Sequence, residues 1–491
     1  MGIYGTDTVS ARALHALLYG VCVVSLLFGG SASAQLESEW RGFVQSDIRL
    51  EIDDEMPFQR LETTANGRYK ARYGSHVGGV IDLDLIFTEY ADPGELSGLF
   101  DRSRLDPWRL ESDALFVEFT DAGLDGLDIR IGRQQLIWGA ADRFHPTSNL
   151  NPLDVEDGLE FGDTIANEMV TIAYRPYFWF GDEDDPWFEE FGLEVAVVPS
   201  FKPAQLPLSA GLAFTSPDEQ IRLATTDELK QLARQQKGYL DAGANIAYDI
   251  NVNLPDWKAR NIMVGARMAW NLLGVDMSVS YFRGFDDFPR AENAIVTGDA
   301  TDVHTTIDLT YPRVQVLGVD MAASVPWLDG LGVWAEVGIT FHDDLYVVID
   351  GATFAGNAAG DVFPNGPALE HAAGQFVKAV AGIDYTPFPF WYINIQYLHG
   401  FVDEFGSDNL NDYIVAGMDF KLFRDKFLIR TFGIVDIQDQ SWVLFPQLVF
   451  RPFSGGSLSV GAFLFFGDED TKFGSPVAGG SSVFTKARFS F

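Results

Sequence analysis

The chain has 491 residues, of which 47% are hydrophobic and 14% aromatic, and its formal net charge is −36. This composition is too apolar for a disordered protein, and the acidity excludes nucleic acid as a partner because phosphates would be repelled. Residues 35–491 contain no uninterrupted apolar run of about 18 residues, so membrane-spanning helices are not expected. A transmembrane β-barrel reconciles these properties, since only alternate residues of its strands face lipid.

The N-terminal segment predicts a secretory signal peptide over residues 1–34. An apolar run over 16–28 follows Arg12, and an A-x-A cleavage motif ends at Ala34. The only cysteine, Cys22, lies inside this segment, so the mature chain is expected to have no disulfide and no thiolate metal site. We expect residues 35–491 to form a single domain in the outer membrane of a Gram-negative bacterium.

The first three candidate strands cover 40–52, 68–73 and 77–87, and each alternates apolar with polar residues. The second carries three cations on one face, whereas the third carries Asp82 and Asp84 on its polar face. If both polar faces point inward, a basic ladder and an acidic ladder line the same lumen. A soluble sheet with one solvated face would show the same local pattern.

Further candidate strands follow at short spacing, separated by Gly, Pro, Asp and Asn turn signals. They cover approximately 110–120, 126–138, 167–176, 190–199, 260–272, 275–285, 303–312, 314–325, 331–343, 374–386, 390–402, 411–422, 424–437, 441–451, 456–467 and 481–491. Short connections alternate with long ones, and the long ones are 140–166, 200–240, 286–302 and 344–373. The sequence therefore predicts an all-β, antiparallel, up-and-down transmembrane barrel of about 16 to 18 strands.

The last stretch, 481–491, alternates strictly between an apolar face and a polar face. Its apolar face includes Phe489 and the terminal Phe491. A chain that stops on such a strand resembles outer-membrane barrels, in which the last strand pairs with the first. In those barrels the terminal aromatic residue helps the barrel assembly machinery to recognise the chain, so Phe489 and Phe491 are the candidate closure and assembly signal.

One segment departs from the strand pattern and predicts a short helical insertion within the loop 200–240. Ser216 suits an N-cap and Pro217 suits the first helical turn, while Leu223, Leu229 and Leu232 form a narrow apolar stripe. We expect this helix either outside the barrel or folded into its mouth.

The stretch 129–154 places Arg133 on the same strand face as Ile129 and Ile131. A charge facing lipid at the membrane midplane costs about 2–4 kcal/mol. The strand is therefore expected to bulge near residues 132–134, unless Arg133 lies beyond the apolar band.

The same stretch resembles a family of proteobacterial outer-membrane barrels of unknown function. The similarity is carried by G-R-Q-Q-L-I-W-G over 132–139 and N-P-L-D over 151–154, and the stretches 197–207 and 396–401 are also similar to that family. The G-R-Q and W-G elements are also similar to those of alginate-export-type porins. The resemblance implies a 14- to 18-stranded barrel that passes solutes or lipid-like molecules, together with periplasmic and inner-membrane transport partners. It implies no catalytic residues.

Polar residues opposite the aliphatic face of the candidate strands are the candidate lumen lining. They are Arg130, Asp320, Glu336, Asp384, Asn394, Gln396 and Arg430. Such charges set ion selectivity in pores, but lumen charges equally form structural ion pairs.

No catalytic motif of the common hydrolase, metalloprotease or phosphate-binding types occurs, so no enzyme activity, cofactor or metal is expected. His399 with a nearby Ser could form a barrel-type phospholipase pair, although a histidine at a turn or girdle fits the pattern better.

Three hypotheses follow for the barrel. It is a channel for small solutes, a transporter of hydrophobic or lipid-like molecules, or a structural or adhesive barrel acting through its long loops. Outer-membrane lipids are expected partners in each case.

Overall fold

A computed structural model describes residues 36–491 except 53–55, 89–90, 92–95, 158–161, 183–184 and 358–361. The predicted signal peptide and its cleavage site therefore lie outside the described residues.

The chain forms a closed antiparallel barrel of 18 strands, as the alternation predicts. The wall strands are β1 (Leu36–Glu51), β2 (Phe58–Tyr73), β3 (Val77–Thr88), β4 (Trp108–Phe119), β5 (Leu127–Gln134), β6 (Asn167–Tyr174), β8 (Asp185–Val198), β10 (Met263–Leu272), β11 (Val275–Phe285), β14 (Arg313–Val325), β15 (Leu331–His342), β18 (Gly374–Phe388), β19 (Trp391–His399), β20 (Asp412–Leu422), β21 (Phe427–Asp436), β22 (Trp442–Phe453), β23 (Gly456–Phe466) and β24 (Ser482–Ser490). The three-residue strand β7 (Phe180–Asp182) pairs only with β8.

The first and last strands close the ring. β24 pairs with β1 from Phe43↔Ser490 to Glu51↔Ser482. Beyond this ladder, the Phe491 carbonyl accepts from the Gly42 amide at 3.0 Å, and the Phe491 amide donates back at 2.9 Å. A Cβ on Gly42 would lie 2.8 Å from the Phe491 ring, so glycine makes room for the terminal aromatic residue. Closure removes both free edges of the sheet.

The two ends of the barrel differ in their connections. At one end, which we call the short-turn end, neighbouring strands are joined by tight turns, such as Leu273–Gly274 between β10 and β11. Both residues of this turn have positive φ, which suits a two-residue hairpin. All the long connections lie at the other end, called the long-loop end. Aromatic residues cluster on the outer face near the short-turn end, as in the stacked pair Phe388 and Phe390.

A second sheet lies among the long loops, and it was not predicted. It contains β9 (Asn245–Val252), β12 (Arg290–Asp299), β13 (Asp302–Thr310), β16 (Leu345–Asp350) and β17 (Asn365–His371), in the order β17-β16-β12-β13-β9. The prediction of a barrel strand over 303–312 is therefore wrong, because that segment is β13 of this sheet. Likewise, 286–302 and 344–373 are not plain loops, since they contain β12, β16 and β17.

The predicted helical insertion is confirmed and packs against this second sheet. The helices are α1 (Arg102–Leu105), α2 (Leu212–Thr215), α3 (Pro217–Leu223) and α4 (Asp227–Asp241), and short 3-10 turns cover Leu96–Phe100, Leu208–Gly211, Ala259–Asn261, Pro326–Leu328 and Pro476–Ala478. Thr226 caps α4 by accepting from the Leu229 amide at 3.2 Å. Leu232 of α4 joins Val296, Val303 and Val347 in one buried core. We call α4 and the second sheet together the cap.

Candidate functional site: the barrel interior

The inner face of the wall carries paired charges. Arg130 on β5 donates to Glu118 on β4 at 3.2 Å, and Arg430 on β21 donates to Asp419 on β20 at 2.7 and 2.6 Å. Both pairs lie side by side on neighbouring strands, at the registers Glu118↔Arg130 and Asp419↔Arg430. Two of the seven predicted lumen residues are thus charge-compensated by the adjacent strand.

Asp320 on β14 lies on the face opposite the exposed Val319 and Met321 and is only 4% exposed itself. Its carboxylate accepts from the Ser278 hydroxyl and lies 3.6 Å from the Arg267 guanidinium. Asp320 is therefore also held within a cross-strand network on the inner side of the wall.

Asp384 on β18 collects three donors. The Trp334 indole donates to it at 2.7 Å, while the Tyr392 hydroxyl and the Asn394 amide donate at 2.5 Å. Gln396 then donates to Asn394 at 2.6 Å. Three more predicted lumen residues, Asp384, Asn394 and Gln396, thus belong to one hydrogen-bond network. A role of these residues in ion selectivity stays a prediction.

Glu336 on β15 is the remaining predicted lumen residue, and it holds a loop inside the barrel. Its side chain is fully buried and accepts from the Thr147 amide at 2.8 Å and from the Thr147 hydroxyl at 2.7 Å. The other carboxylate oxygen accepts from the Ala141 amide at 3.2 Å and lies 3.4 Å from His145 Nδ1. The residues that bind Glu336 lie in the connection 135–166 between β5 and β6, which we call the inner loop.

Glycines on the wall make room for the inner loop. A Cβ on Gly338 would lie 2.6 Å from the Pro146 carbonyl oxygen, and one on Gly318 would lie 2.6 Å from the Thr147 side chain. A Cβ on Gly265 would lie 2.7 Å from the Trp138 ring. These glycine positions were not predicted, although glycine inside a strand is itself a signal of close approach by another segment.

The far part of the inner loop is attached to the other side of the ring. Arg49 on β1 donates to both oxygens of Asp157 at 2.8 and 3.0 Å, and Arg60 on β2 lies 3.3 Å from the same carboxylate. Asp47, Arg49 and Asp157 are all buried. β1 and β15 lie across the ring from each other, so the inner loop crosses the lumen between these two of its attachments.

Apolar packing fills the space around the inner loop. Trp138 and Leu150 are buried with residues of β6, β8, β10, β11, β14 and β18, and with Phe405. Phe144 packs on Phe401 and joins a second cluster that includes Phe473. Loops from three parts of the chain therefore close much of the lumen on this side.

A charged group connects two of the long loops. Lys472 lies 2.9 Å from Asp403 and 3.0 Å from Glu404, and its ammonium lies over the Phe401 ring. Burial alone would raise the pKa of Asp403, but the neighbouring Lys472 holds that pKa below its ordinary value. The pair therefore stays ionised and ties the connection 467–481 to the connection 400–411.

The predicted basic and acidic faces of β2 and β3 do share one side of the sheet. Arg68 lies 3.6 Å from Asp82, and Asn66 donates to Asp82 at 2.8 Å and to Asp84 at 2.9 Å. Lys486 on β24 lies 3.6 Å from Asp47. The wall from β24 to β3 is therefore the charged side of the interior, opposite the side closed by apolar packing.

Arg133 lies near the end of β5, just before the inner loop begins. The pairing of β5 with β4 has no register shift, so no bulge moves Arg133 off the face of Ile131. Instead, Arg133 lies near the end of β5, where it donates to the Ser112 carbonyl at 2.6 Å and to Glu168 at 3.2 Å. Lys202 lies 2.6 Å from Glu168. The outer face of the wall thus carries an ion cluster at this point.

A large cavity remains between the charged wall, the inner loop and the cap. Its volume is about 1350 Å³. Its polar lining includes Arg60, Arg109, Arg222, Arg290, Glu370 and Lys472. Its apolar lining includes Leu229, Phe288, Phe432, Ile434, Phe463 and Phe465. A cavity of this size with both linings fits an amphipathic organic molecule.

His399 lies on β19 beside Asp412, whose carboxylate is 2.8 Å from its Nδ1, and Tyr397 donates to the same carboxylate at 2.6 Å. These contacts fit a histidine at a turn or girdle, and a phospholipase pair with a serine stays an untested hypothesis. Within the described residues, no cluster of three or more His, Cys, Asp or Glu side chains could hold a metal ion. Among the same residues, no helix has the length and apolar character needed to cross a membrane.

Known structures support the fold assignment. The chain is similar to Pseudomonas aeruginosa OpdK, whose crystal structure contains vanillate, with a TM-score of 0.50 and 8% identity over 93% of this chain and 98% of that chain. It is also similar to Acinetobacter baumannii OccAB1, with a TM-score of 0.46 and 9% identity over 94% of this chain and 98% of that chain. The likeness to OpdK supports the assignment of a closed antiparallel β-barrel fold.

No family model and no curated protein matches the chain. The resemblance drawn from the motifs over 132–139 and 151–154 therefore stays a prediction.

Proposed function

We propose that this chain is an outer-membrane channel that passes small amphipathic molecules under the control of its inner loop. The observation that carries the proposal is the inner loop, which crosses the lumen from Glu336 to Arg49 and leaves a cavity of about 1350 Å³ beside it. An unobstructed water-filled pore would pass solutes by size alone. A lumen divided by an anchored loop selects solutes by shape and chemistry as well.

The lining of the cavity suggests the class of solute. The lining combines aromatic side chains such as Phe432 and Phe463 with guanidinium groups such as those of Arg60 and Arg109. Rings and alkyl chains pack on the first set, and carboxylate or phosphate groups pair with the second. Vanillate, an aromatic carboxylate present in the OpdK crystal structure, has both parts and is a suitable probe.

The test is solute flux into proteoliposomes that contain residues 35–491. We expect vanillate to enter faster than a neutral sugar of similar mass. Equal entry of both solutes would contradict selection by the cavity, and entry of neither would contradict a channel function.

A barrel that acts through its long loops is the second candidate, and the cap favours it. The cap has its own buried core, and its exposed face carries Tyr346, Val348 and Leu369. Polar substitutions at these three positions leave the core intact and would abolish adhesion if the cap is an adhesive surface. Unchanged adhesion would exclude this candidate.

The expected partners are proposals as well. Outer-membrane lipids would surround the apolar band, and the barrel assembly machinery would recognise the strand that ends at Phe489 and Phe491. Replacing Phe491 with Ser should lower the yield of assembled barrel in cells more than it lowers refolding in detergent. Periplasmic and inner-membrane transport components would deliver or receive the solute.

A further inference from the structure

The barrel wall is incomplete at one seam. β4 pairs with β3 along its whole length, from Phe87↔Trp108 to Val77↔Phe119. Its pairing with β5 covers only Leu115↔Arg133 to Phe119↔Ile129. Within the described residues, no strand pairs with the other edge of β4 over 108–114. We call this stretch the β4 seam.

The position of the seam matters because of the membrane. β5 has eight residues, and at about 3.3 Å per residue and about 40° of tilt it rises about 20 Å, less than the ~25 Å apolar band. An unpaired strand edge at that depth is tolerated only where protein covers it or where it lines a cavity. The β4 seam therefore lies towards the long-loop end of the apolar band, and there it opens towards the barrel interior.

The outer surface beside the seam is apolar and exposed. Trp108 and Leu110 project from the outer face of β4 and are 60% and 58% exposed. Leu96, Leu99 and Phe100, in the 3-10 turn that precedes α1 in the connection to β4, are exposed as well. A patch of this kind on a barrel lies in the acyl-chain region of the membrane rather than in water.

The inner side of the same stretch lines the cavity. Arg109, the neighbour of Trp108, and Thr88, at the end of β3, both belong to the cavity wall. Arg109 lies 3.5 Å from Glu62. One strand segment therefore has an exposed apolar surface on its outer side and the cavity of about 1350 Å³ on its inner side.

Charged groups lie at the end of the β4 seam where the pairing of β4 with β5 stops. The Arg133 guanidinium reaches across to the Ser112 carbonyl at 2.6 Å, which is the contact nearest the end of the paired region. Arg133 and Lys202 are both bound to Glu168, so this cluster carries two cations and one anion on the outer face. A net positive rim suits an acidic or phosphate-containing headgroup.

We propose that the β4 seam is a lateral opening through which amphipathic lipid-like molecules move between the membrane and the cavity. The apolar part of such a molecule would pass along Trp108 and Leu110, and its polar head would pass Arg133 and Lys202. This inference deepens the proposed channel function and rests on the cavity assigned there.

The test measures whether acyl chains reach the cavity at the seam. Residues 35–491 contain no cysteine, so a single cysteine carries a single label. A bimane label is placed at Arg109→Cys, and the protein is reconstituted in nanodiscs of dibrominated phosphatidylcholine or of the unbrominated lipid. We expect bromine to quench the label at position 109.

The matched control is Ile434→Cys, which also lines the cavity. Ile434 lies on β21, where it is paired with Val415 on one side and with Val443 on the other. The label at position 434 should keep its fluorescence in both lipids. Thr88→Cys provides a second seam position if Arg109→Cys does not fold.

Equal fluorescence in the two lipids at positions 88 and 109 would overturn the proposal, and so would equal quenching at position 434. The quenching needs no transport. Suppose that quenching occurs only at positions 88 and 109, and that the wild type shows no vanillate flux. That result would support the lateral opening while contradicting the channel function.

Discussion

The attachments of the inner loop at Glu336 and at Asp157 hold the same segment by different chemistry. At Glu336, one fully buried carboxylate accepts from backbone amides and a hydroxyl that the loop presents. At Asp157, the loop supplies the carboxylate and the wall supplies Arg49 and Arg60. The first attachment depends on one acceptor carboxylate, whereas the second has two cations. The loop is therefore expected to be fixed at Glu336 and adjustable at Asp157.

The largest effect is expected from Glu336→Ala. It leaves the Ala141 and Thr147 amides and the Thr147 hydroxyl without their acceptor, and each buried unsatisfied group costs about 1–3 kcal/mol. The inner loop should leave its position, and ion conductance in a planar bilayer should rise. The control is Thr147→Val, which removes one donor only and should have a smaller effect. Equal conductance of wild type and Glu336→Ala would contradict the role of this attachment.

Gly338→Ala perturbs the attachment at Glu336 by steric overlap rather than by the loss of hydrogen bonds. The added Cβ would lie 2.6 Å from the Pro146 carbonyl oxygen, so the loop or the strand must shift. We expect higher conductance. We also expect a lower unfolding temperature, because overpacking lowers the free energy of unfolding by about 1–3 kcal/mol. The control is Gly417→Ala on β20, whose nearest neighbour would be the Phe432 ring at 3.7 Å, an ordinary contact. If both variants behave alike, close packing at Gly338 does not hold the loop.

Asp157→Asn tests the second attachment. The amide keeps the shape of the side chain but loses the charge that pairs with Arg49 and Arg60. Because Asp47 still pairs with Arg49 at 3.1 Å, the loss should be smaller than at Glu336. We expect more frequent brief openings in single-channel records, and the wild type should approach this behaviour at high salt. A larger effect than that of Glu336→Ala would reverse the assignment of the two attachments.

The smallest effect is expected from a change of pH, and the quantity affected is the stability of the cap. Burial, together with Arg290 and His342, lowers the pKa of His371 on β17 to about 4. The unfolded chain takes up this proton below about pH 6.5, whereas the folded cap resists it until about pH 4. The stability of the cap should therefore fall as the pH drops from about 6.5 towards 4.

Hydrogen exchange over residues 345–371, corrected for its intrinsic pH dependence, measures this change. His371→Gln should remove it. The charges nearest His371 are those of Arg290, His342 and Asp408, and none of these belongs to the attachments at Glu336 or Asp157. The conductance of His371→Gln should therefore depend on pH in the same way as that of the wild type.

The sequence was sufficient to predict the strands of the barrel wall. It was not sufficient to predict the inner loop or the second sheet. Alternation over 481–491 predicted the closing strand because one face of a barrel strand must be apolar. The same logic failed for β13, whose buried Val303, Ile307 and Leu309 alternate like those of a wall strand. A period of two identifies a half-buried strand and does not tell which sheet contains it.

The candidate site was partly predictable for a related reason. The parity of Glu336 predicted its inner position, but its partner Thr147 lies 189 residues away in the sequence. Nothing in local periodicity identifies such a contact. The glycines at 318 and 338 were the available signal, since the middle of a strand favours larger side chains unless another segment approaches closely.

The most direct test of the account is the single-channel conductance of refolded residues 35–491, compared with that of Gly338→Ala and Gly417→Ala. We expect small or rare openings for the wild type and for Gly417→Ala, and larger, longer openings for Gly338→Ala. Large, steady openings of the wild type that neither substitution changes would contradict an inner loop that crosses and controls the lumen.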